Sequence, residues 1–173
     1  LLKSTLPGEN VPVTVEFNQS NAYFKFNKIK MICRLIDERY PDYENVIPVD
    51  NPNRMNIDRL ELLGSLRRIA IYANKTTHQV RLKLAGSELQ ISAEDLDFSN
   101  EANERLSCEH DGEDIEIGFN AKFLVEMLNN ISSKQVTLQF SAPNRAGLIV
   151  PSDKSDNEDI LMLVMPVMLN NYV

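Results

Sequence analysis

Few residues in this chain have a type and spacing that could perform chemistry. The two histidines, His78 and His110, lie far apart in turn-like surroundings, which favours surface positions over metal ligation or catalysis. Residues 111–114 lack the other ligand positions of a calcium loop, so they predict a hairpin turn. The sequence has no glycine-rich phosphate loop, no Cys/His metal spacing and no nucleophile elbow. We therefore predict a protein that is not an enzyme and that uses no metal or cofactor.

Carboxylates are abundant, and the charged residues are unevenly distributed. The chain has 25 acidic and 18 basic residues, which gives a net charge of −7. Acidic residues crowd positions 94–114 and 153–159, whereas the first complete predicted helix carries Arg59, Arg67 and Arg68. The distribution of charge bears on nucleic-acid binding more than the net charge does. A hydrolase that uses the carboxylates is the weakest alternative, because only their number supports it.

The composition, 43% apolar and 25% charged, is typical of a globular protein. The longest apolar run, residues 160–169, is interrupted by Pro166 and falls short of the roughly 20 residues that cross a bilayer. Cys33 and Cys108 lie in alternating strand patterns and predict buried free thiols, which fit a reducing compartment. We predict a cytoplasmic protein without a membrane segment.

The chain contains an internal repeat. Residues 80–84 and 136–140 alternate between apolar and polar side chains, and each run follows a predicted helix and precedes a turn and a second strand. Residues 13–17 show the same alternation, but the helix before them is reduced to residues 1–6. Because a repeat unit buries its apolar face against its neighbours, we expect the chain to be the tail of a longer repeat protein.

Each complete unit is predicted to run strand, helix, strand, strand, strand. In the first, Asp58 is the helix N-cap and Glu61 completes a capping box before a helix over residues 59–72. In the second, Asn120 caps a helix over residues 121–131. The predicted strands lie near residues 12–17, 21–26, 29–36, 55–57, 79–84, 88–93, 103–109, 114–119, 135–141, 146–150 and 159–165. The helix residues predicted to face the core are Leu60, Leu63, Leu66, Ile69, Ala70, Phe123, Leu124, Met127 and Leu128.

These units predict an α+β fold. Two of them can close one domain when antiparallel sheets pack on one side and both helices lie together on the other. We place this domain at residues 49–173. The polar stretch around its start contains Pro41, Pro48 and Pro52 and predicts an extended linker, because residues that precede proline avoid the helical region. Residues 1–48 are then the end of a preceding domain together with this linker.

Three stretches resemble one known family. They are residues 34–43 with the Val-Ile-Pro of residues 46–48, residues 115–120, and residues 163–167. In this order and spacing, the chain resembles the bacterial DNA polymerase III beta subunits, the replicative sliding clamps. The resemblance extends over nearly the whole chain, which corresponds to the later part of the family's second domain and to all of its third.

The resemblance implies a DNA-clamp fold and a homodimeric ring of six similar domains, whose helices line a hole for duplex DNA. Such a ring performs no chemistry and tethers other proteins to DNA through a peptide-binding pocket. The implied partners are duplex DNA, bound without sequence preference, the DNA polymerase III catalytic subunit, the clamp loader and other proteins with a clamp-binding motif. A stand-alone peptide-binding adaptor of the same fold, without DNA encirclement, is the alternative function.

The resemblance also implies where peptides bind: an apolar concavity that accepts the Leu or Phe anchors of a short linear motif. Asn45 and Met168 stand where relatives often have arginine, so partner preference is expected to differ. The alternative is that residues 160–168 form only a buried final strand. The implied pocket residues are Pro41, Asn45, Val46, Asn120, Phe123, Leu163, Val164, Met165, Pro166 and Val167, with Asn144 and Ala146 at the rim.

Two further surfaces are implied by the resemblance. At the subunit interface, Ile71 and Tyr72 would make apolar contacts, and Glu101 and Glu104 would face basic residues of the partner. Around the hole, basic side chains would contact phosphates independently of base sequence. The alternative for each charged residue is an exposed and solvated side chain. The implied DNA-facing residues are Arg59, Arg67, Arg68, Lys75 and Lys122.

Overall fold

The computed structural model describes residues 2–6, 8, 10–153 and 158–169, in two compact units, Leu1–Asp42 and Tyr43–Val173. The first unit holds a short helix, α1 (Leu2–Thr5), and an antiparallel sheet in the order β1 (Thr14–Phe17), β2 (Asn21–Phe26), β3 (Ile29–Arg34). Cys33, predicted to be buried, is half-buried because it lies on an outer strand of this sheet. No helix among the described residues is long and apolar enough to cross a membrane.

The second unit is the larger one and contains two sheets and two helices. It opens with a 3-10 turn, Tyr43–Val46, inside the stretch that was predicted to be an extended linker. The helices are α2 (Arg59–Ile69), extended by a 3-10 turn (Ala70–Tyr72), and α3 (Ala121–Asn129). The strands are β4 (Asn53–Asp58), β5 (Gln79–Ala85), β6 (Glu88–Asp95), β7 (Asn100–Ser107), β8 (Glu109–Asp111), β9 (Ile115–Asn120), β10 (Gln135–Phe140), β11 (Gly147–Pro151) and β12 (Met162–Val164).

The two repeat units of this domain exchange their first strands. One sheet has the order β7-β6-β5-β9 and the other the order β12-β11-β10-β4-β8, with antiparallel pairing throughout. Strand β9 therefore joins the sheet of the earlier unit, and β4 joins the sheet of the later one. Helices α2 and α3 pack against each other. This arrangement confirms the predicted α+β fold, with antiparallel sheets and a pair of helices around one core.

The core lies between the two sheets and the helix pair. Alternate positions of the strands point into it, so that Leu82, Leu84 and Ile117 are fully buried. The rings of Phe119 and Phe140, one from each sheet, lie 6.0 Å apart at their centroids. This aromatic contact joins the two sheets inside the core, between the end of β9 and the end of β10.

Both predicted helix N-caps are confirmed. The side chain of Asp58 accepts hydrogen bonds from the backbone N–H groups of Leu60 (2.9 Å) and Glu61 (3.0 Å). The side chain of Asn120 accepts from the N–H of Lys122 at 2.9 Å. These bonds satisfy donors that the first helical turn leaves unpaired, and they fix where each strand ends and its helix begins.

Two residues that were predicted to face the core are exposed. Leu60 lies on the side of α2 opposite the buried face, which is formed by Leu62, Leu66 and Ile69. Phe123 likewise lies away from the buried face of α3 and is 55% exposed. Both residues belong to the first turn of a helix, where apolar spacing alone assigned them to the wrong face.

The segment after β7 also departs from prediction. The predicted strand over residues 103–109 is two strands in different sheets, β7 and β8. Residues 111–114 were predicted to form a hairpin turn, but β8 pairs with β4 and β9 pairs with β5. The turn is held by Asn53, whose Oδ1 accepts from the N–H of Glu113 at 2.7 Å, and it needs Gly112 at a φ of 134°. His78 and His110, expected at the surface, are half-buried.

Candidate functional site

The C-terminal segment crosses from one sheet to the other. Strand β12 is the outer strand of its five-stranded sheet and pairs with β11, with Val164 opposite Gly147. Beyond β12, the backbone N–H of Val167 donates to the carbonyl oxygen of Gly118 on β9 at 2.9 Å. Residues 163–167, the centre of the implied pocket, therefore run along the surface beside the start of α3.

Gly118 makes this crossing possible because it has no side chain. A Cβ at this position would lie 2.7 Å from the carbonyl oxygen of Val167 and 2.7 Å from Cδ2 of Leu169. The backbone of the C-terminal segment thus occupies the volume that any larger residue would fill. A requirement for close backbone approach explains the glycine in the segment 115–120.

The predicted pocket residues divide into supporting and surface positions. Val164 and Ala146 are buried, and Asn120 uses its side chain to cap α3 and to donate to the carbonyl oxygen of Thr77 at 3.1 Å. Met165 and Phe123 are 60% and 55% exposed. Residues 160–168 are therefore not simply a buried final strand. Of the other predicted pocket residues, Leu163, Pro166 and Val167 are half-buried, and Asn45, Val46 and Asn144 are exposed. Pro41 is exposed as well and belongs to the first unit.

The residues of the implied subunit interface lie along the outer strand β7. Ile71 and Tyr72 are exposed on the 3-10 turn that ends α2, and this turn packs on β6 and β7. The two glutamates, in contrast, point to opposite faces of the strand. Glu101 lies on the outer face, whereas Glu104 shares its face with Ala102 and Leu106, which pack on the core.

Glu104 is held by Arg68 of the same chain. The guanidinium Nε and Nη2 of Arg68 donate to the two carboxylate oxygens of Glu104, each at 2.7 Å. This bidentate ion pair raises the pKa of Arg68 above its ordinary value and lowers the pKa of Glu104, chiefly through the side-chain hydrogen bonds. A predicted DNA contact and a predicted interface residue therefore neutralise each other and join α2 to β7.

The other predicted DNA-facing residues differ in their surroundings. Arg59 is half-buried and donates to the carbonyl oxygens of Ser133 (2.8 Å) and Leu128 (3.1 Å), so that it closes the end of α3. Lys75 donates to the carbonyl oxygen of Ile71 at 2.9 Å. Arg67 donates to the neutral side chain of Asn129 at 2.8 Å, and Lys122 is exposed at the start of α3. Arg67, Lys75 and Lys122 thus keep an accessible positive charge beside the helix pair.

Two clefts open on the second unit, and neither includes a predicted pocket residue. A polar cleft of about 510 Å³ lies on the outer face of the four-stranded sheet, between the loop after Asn74 and the hairpin that joins β6 to β7. A second cleft, of about 460 Å³, lies between residues 131–133 and 158–161. Within the described ranges, His, Cys, Asp and Glu side chains form no cluster of three or more that could hold a metal ion.

Comparison with known proteins decides the family. A model of the C-terminal domain of the DNA polymerase III beta subunit matches residues 44–168. The chain belongs to the DNA polymerase III beta subunit family. The beta sliding clamp of Vibrio cholerae is 30% identical over 168 residues, which cover 97% of this chain and 45% of that protein. The crystal structure of the DNA polymerase III subunit beta from Pseudomonas aeruginosa gives a TM-score of 0.89 at 30% identity, again over 97% and 45% of the two chains.

The chain spans less than half the length of these beta subunits. A second relative, the beta sliding clamp of Pseudomonas aeruginosa, is 34% identical over 136 residues, which cover 79% of this chain and 36% of that protein. The recognition of the beta subunit family from residues 34–43 with 46–48, 115–120 and 163–167 is thereby confirmed. The individual site residues stay predictions, because their roles depend on partners.

Sequence reasoning missed three features of this beta subunit domain. It did not pair Arg68 with Glu104, although Glu104 alternates in step with Ala102 and Leu106 and so had to face the helices. It gave no role to Gly118. It also passed over Leu96 and Phe98, two large apolar residues inside an acidic stretch, whose exposure no periodicity revealed.

Proposed function

We propose that the chain forms the C-terminal part of a sliding clamp, a homodimeric ring that encircles duplex DNA in the cytoplasm and performs no catalysis. In this proposal, residues 1–48 end the second clamp domain and residues 49–173 form the complete third. The clamp tethers the DNA polymerase III catalytic subunit, the clamp loader and other proteins through its peptide-binding pocket. The proposal rests on one observation. In a chain that belongs to a clamp family, the crossing segment 163–167 leaves the side chain of Met165 exposed at the surface.

Peptide binding is supported by the chemistry of this surface. Met165 and Phe123 offer flexible and aromatic apolar contacts, and the backbone that carries Met165 is fixed by the bond between Val167 and Gly118. A Leu or Phe anchor that packs on either side chain would lose contact with water. Asn45 and Met168 stand where relatives commonly have arginine, so the peptide-binding surface would carry less positive charge. We therefore expect weaker selection for acidic peptides than an arginine-bearing clamp would show.

DNA contact is supported by the helix pair. Arg67, Lys75 and Lys122 are exposed and have no acidic partner among the described contacts, whereas Arg59 is half-buried and Arg68 is paired with Glu104. A phosphate contact of this kind carries no base preference, and each one adds about −0.9 to the slope of log affinity against log salt. We propose that Arg67, Lys75 and Lys122 face the duplex.

Dimerisation is supported by the outer strand β7. Its outward edge is unpaired among the described residues, and Ile71 and Tyr72 are exposed beside it. An unpaired strand edge can add a strand of another chain, while acidic Glu101 would orient a basic partner. We propose this surface as the subunit interface, with Glu104 acting from within through Arg68.

The test is a titration with a fluorescently labelled clamp-binding peptide that carries Leu and Phe anchors. Met165→Ala should weaken binding by about tenfold, because a buried apolar side chain contributes roughly 1.5–3 kcal/mol. Leu161→Ala is the matched control, since Leu161 is also exposed and lies at the opposite end of β12 from Met165. Equal affinity of the two variants would contradict the proposed pocket. Peptide binding by a full-length protein that never associates stably with DNA would instead indicate the adaptor function.

A further inference from the structure

The hairpin that joins β6 to β7 presents two large apolar side chains to solvent. Leu96 is 62% exposed and Phe98 is 68% exposed. Both lie within an acidic stretch, with Glu94, Asp97 and Glu101 exposed around them. Single exposed apolar residues are common on protein surfaces, but two such residues at one hairpin tip call for a physical account.

The tip is held in a defined conformation. Asp95 is only 3% exposed, and its Oδ1 accepts from the N–H of Asp97 at 3.1 Å. The N–H of Phe98 donates back to the carbonyl oxygen of Asp95 at 3.3 Å, and Ser99 adopts a φ of 53°. A positive φ at a residue other than glycine is tolerated only where surrounding structure fixes it. Leu96 and Phe98 are therefore presented at fixed positions, so little conformational entropy is lost when they bind.

The tip belongs to the same surface as the proposed subunit interface. Asn74 follows Tyr72 by two residues, and its Nδ2 lies 3.5 Å from Oδ1 of Asp95 and 3.4 Å from Oδ2 of Asp97. These contacts fasten the hairpin to the loop that continues the 3-10 turn bearing Ile71 and Tyr72. The tip, the turn and the outer edge of β7 thus form one continuous surface, apolar in parts and acidic around them.

We propose that Leu96 and Phe98 are an apolar anchor for a second copy of the full-length protein, at the tip end of strand β7. This inference rests on the proposed homodimer. The seat on the partner is an apolar depression flanked by basic side chains, because the anchor is ringed by Glu94, Asp97 and Glu101. The partner strand that pairs with β7 brings this seat to the tip. The anchor therefore sets where along β7 the partner begins to pair.

The experiment measures the dimer dissociation constant of the full-length protein by sedimentation on dilution. Leu96→Ser together with Phe98→Ser should raise this constant at least about tenfold, because two apolar side chains lose their seat. Val49→Ser is the matched control, because Val49 is fully exposed in the same unit and remote in sequence. Phe98→Leu keeps an apolar side chain and should retain most of the affinity. Phe98→Ser alone tests the anchor if the double variant does not fold, because it removes one apolar side chain and should raise the constant above that of Val49→Ser.

Failure of the anchor can be told apart from failure of the proposed dimer. Ile71→Ser with Tyr72→Ser serves as the marker of the interface itself. If this marker variant dissociates while the Leu96/Phe98 variant matches the Val49 control, the anchor is wrong and the proposed dimer stands. If the unaltered full-length protein is a monomer throughout, the proposed dimer fails and the anchor fails with it. We expect the dimer to weaken both in the marker variant and in the Leu96/Phe98 variant. The dissociation constant of Phe98→Leu should stay close to that of the unaltered protein.

Discussion

Replacing Gly118 with alanine should force the C-terminal segment away from β9. The new Cβ would lie 2.7 Å from the Val167 carbonyl oxygen and from Cδ2 of Leu169, whereas ordinary contact begins at 3.4 Å. The segment would have to retreat by about 0.7 Å, and overpacking of this kind costs about 1–3 kcal/mol. The hydrogen bond from Val167 to Gly118, worth about 0.5–1.5 kcal/mol, would lengthen as well. We expect the free energy of unfolding to fall by about 1–3 kcal/mol.

Urea denaturation measures this loss, and peptide titration measures its effect on the pocket. Because Met165 and Pro166 move with the segment, peptide affinity should fall together with stability. Gly8→Ala is the control, since a Cβ added at Gly8 would meet no atom within 4 Å. This control should change the free energy of unfolding by no more than about 0.5 kcal/mol.

The reasoning is refuted if Gly118→Ala unfolds at the same urea concentration as the unaltered protein. Retained stability would mean that the C-terminal segment does not pack on β9 as the structure describes. A loss of stability with unchanged peptide affinity would leave the packing correct and would remove Met165 and Pro166 from the pocket. The two measurements therefore test the packing and the pocket separately.

Three further predictions concern the charged residues and the extent of the pocket. In the full-length protein, Arg67→Met should reduce the slope of log DNA affinity against log salt by about 0.9 in magnitude. Arg68→Met should leave this slope unchanged, because Arg68 is already paired with Glu104. Equal effects of the two variants on the slope would contradict this assignment. Because the pKa of Glu104 is lowered in the folded protein, the stability gained from its pair is present above the ordinary value of 4.5 and is lost as pH falls through the lowered pKa. The difference in melting temperature between the unaltered protein and Glu104→Gln should shrink over that acid range, and a difference independent of pH would count against the pair. The 173-residue chain should bind clamp-motif peptides more weakly than the full-length protein, and identical affinities in parallel titrations would refute this.

The elements of the fold could be predicted from local chemistry. Alternation at residues 80–84 and 136–140 identified strands, and Asp58 and Asn120 fixed both helix starts through bonds within one turn. The exchange of β4 and β9 between sheets could not be predicted in this way. Strand partners are set by contacts between residues that are distant in sequence, such as Gln79 of β5 opposite Asn120 of β9.

The candidate site was predicted in outline and not in its internal connections. Family resemblance identified residues 163–167 as part of the site, because they are contiguous and can be recognised from the sequence alone. The hydrogen bonds from Arg59 to the end of α3 and from Arg68 to Glu104 join residues that are 36 to 74 positions apart. Basic residues on a helix all appear alike in sequence, and only the packing decides which of them keep an accessible charge.

The most direct test of the clamp itself is topological. The full-length protein is loaded on a nicked circular plasmid, isolated by gel filtration, and then examined again after the plasmid is cut once. A ring should remain with the circle through the column and should slide off after linearisation, because encirclement needs no tight contact with any base or phosphate. Equal retention on circular and linear DNA would show ordinary surface binding and would contradict the account.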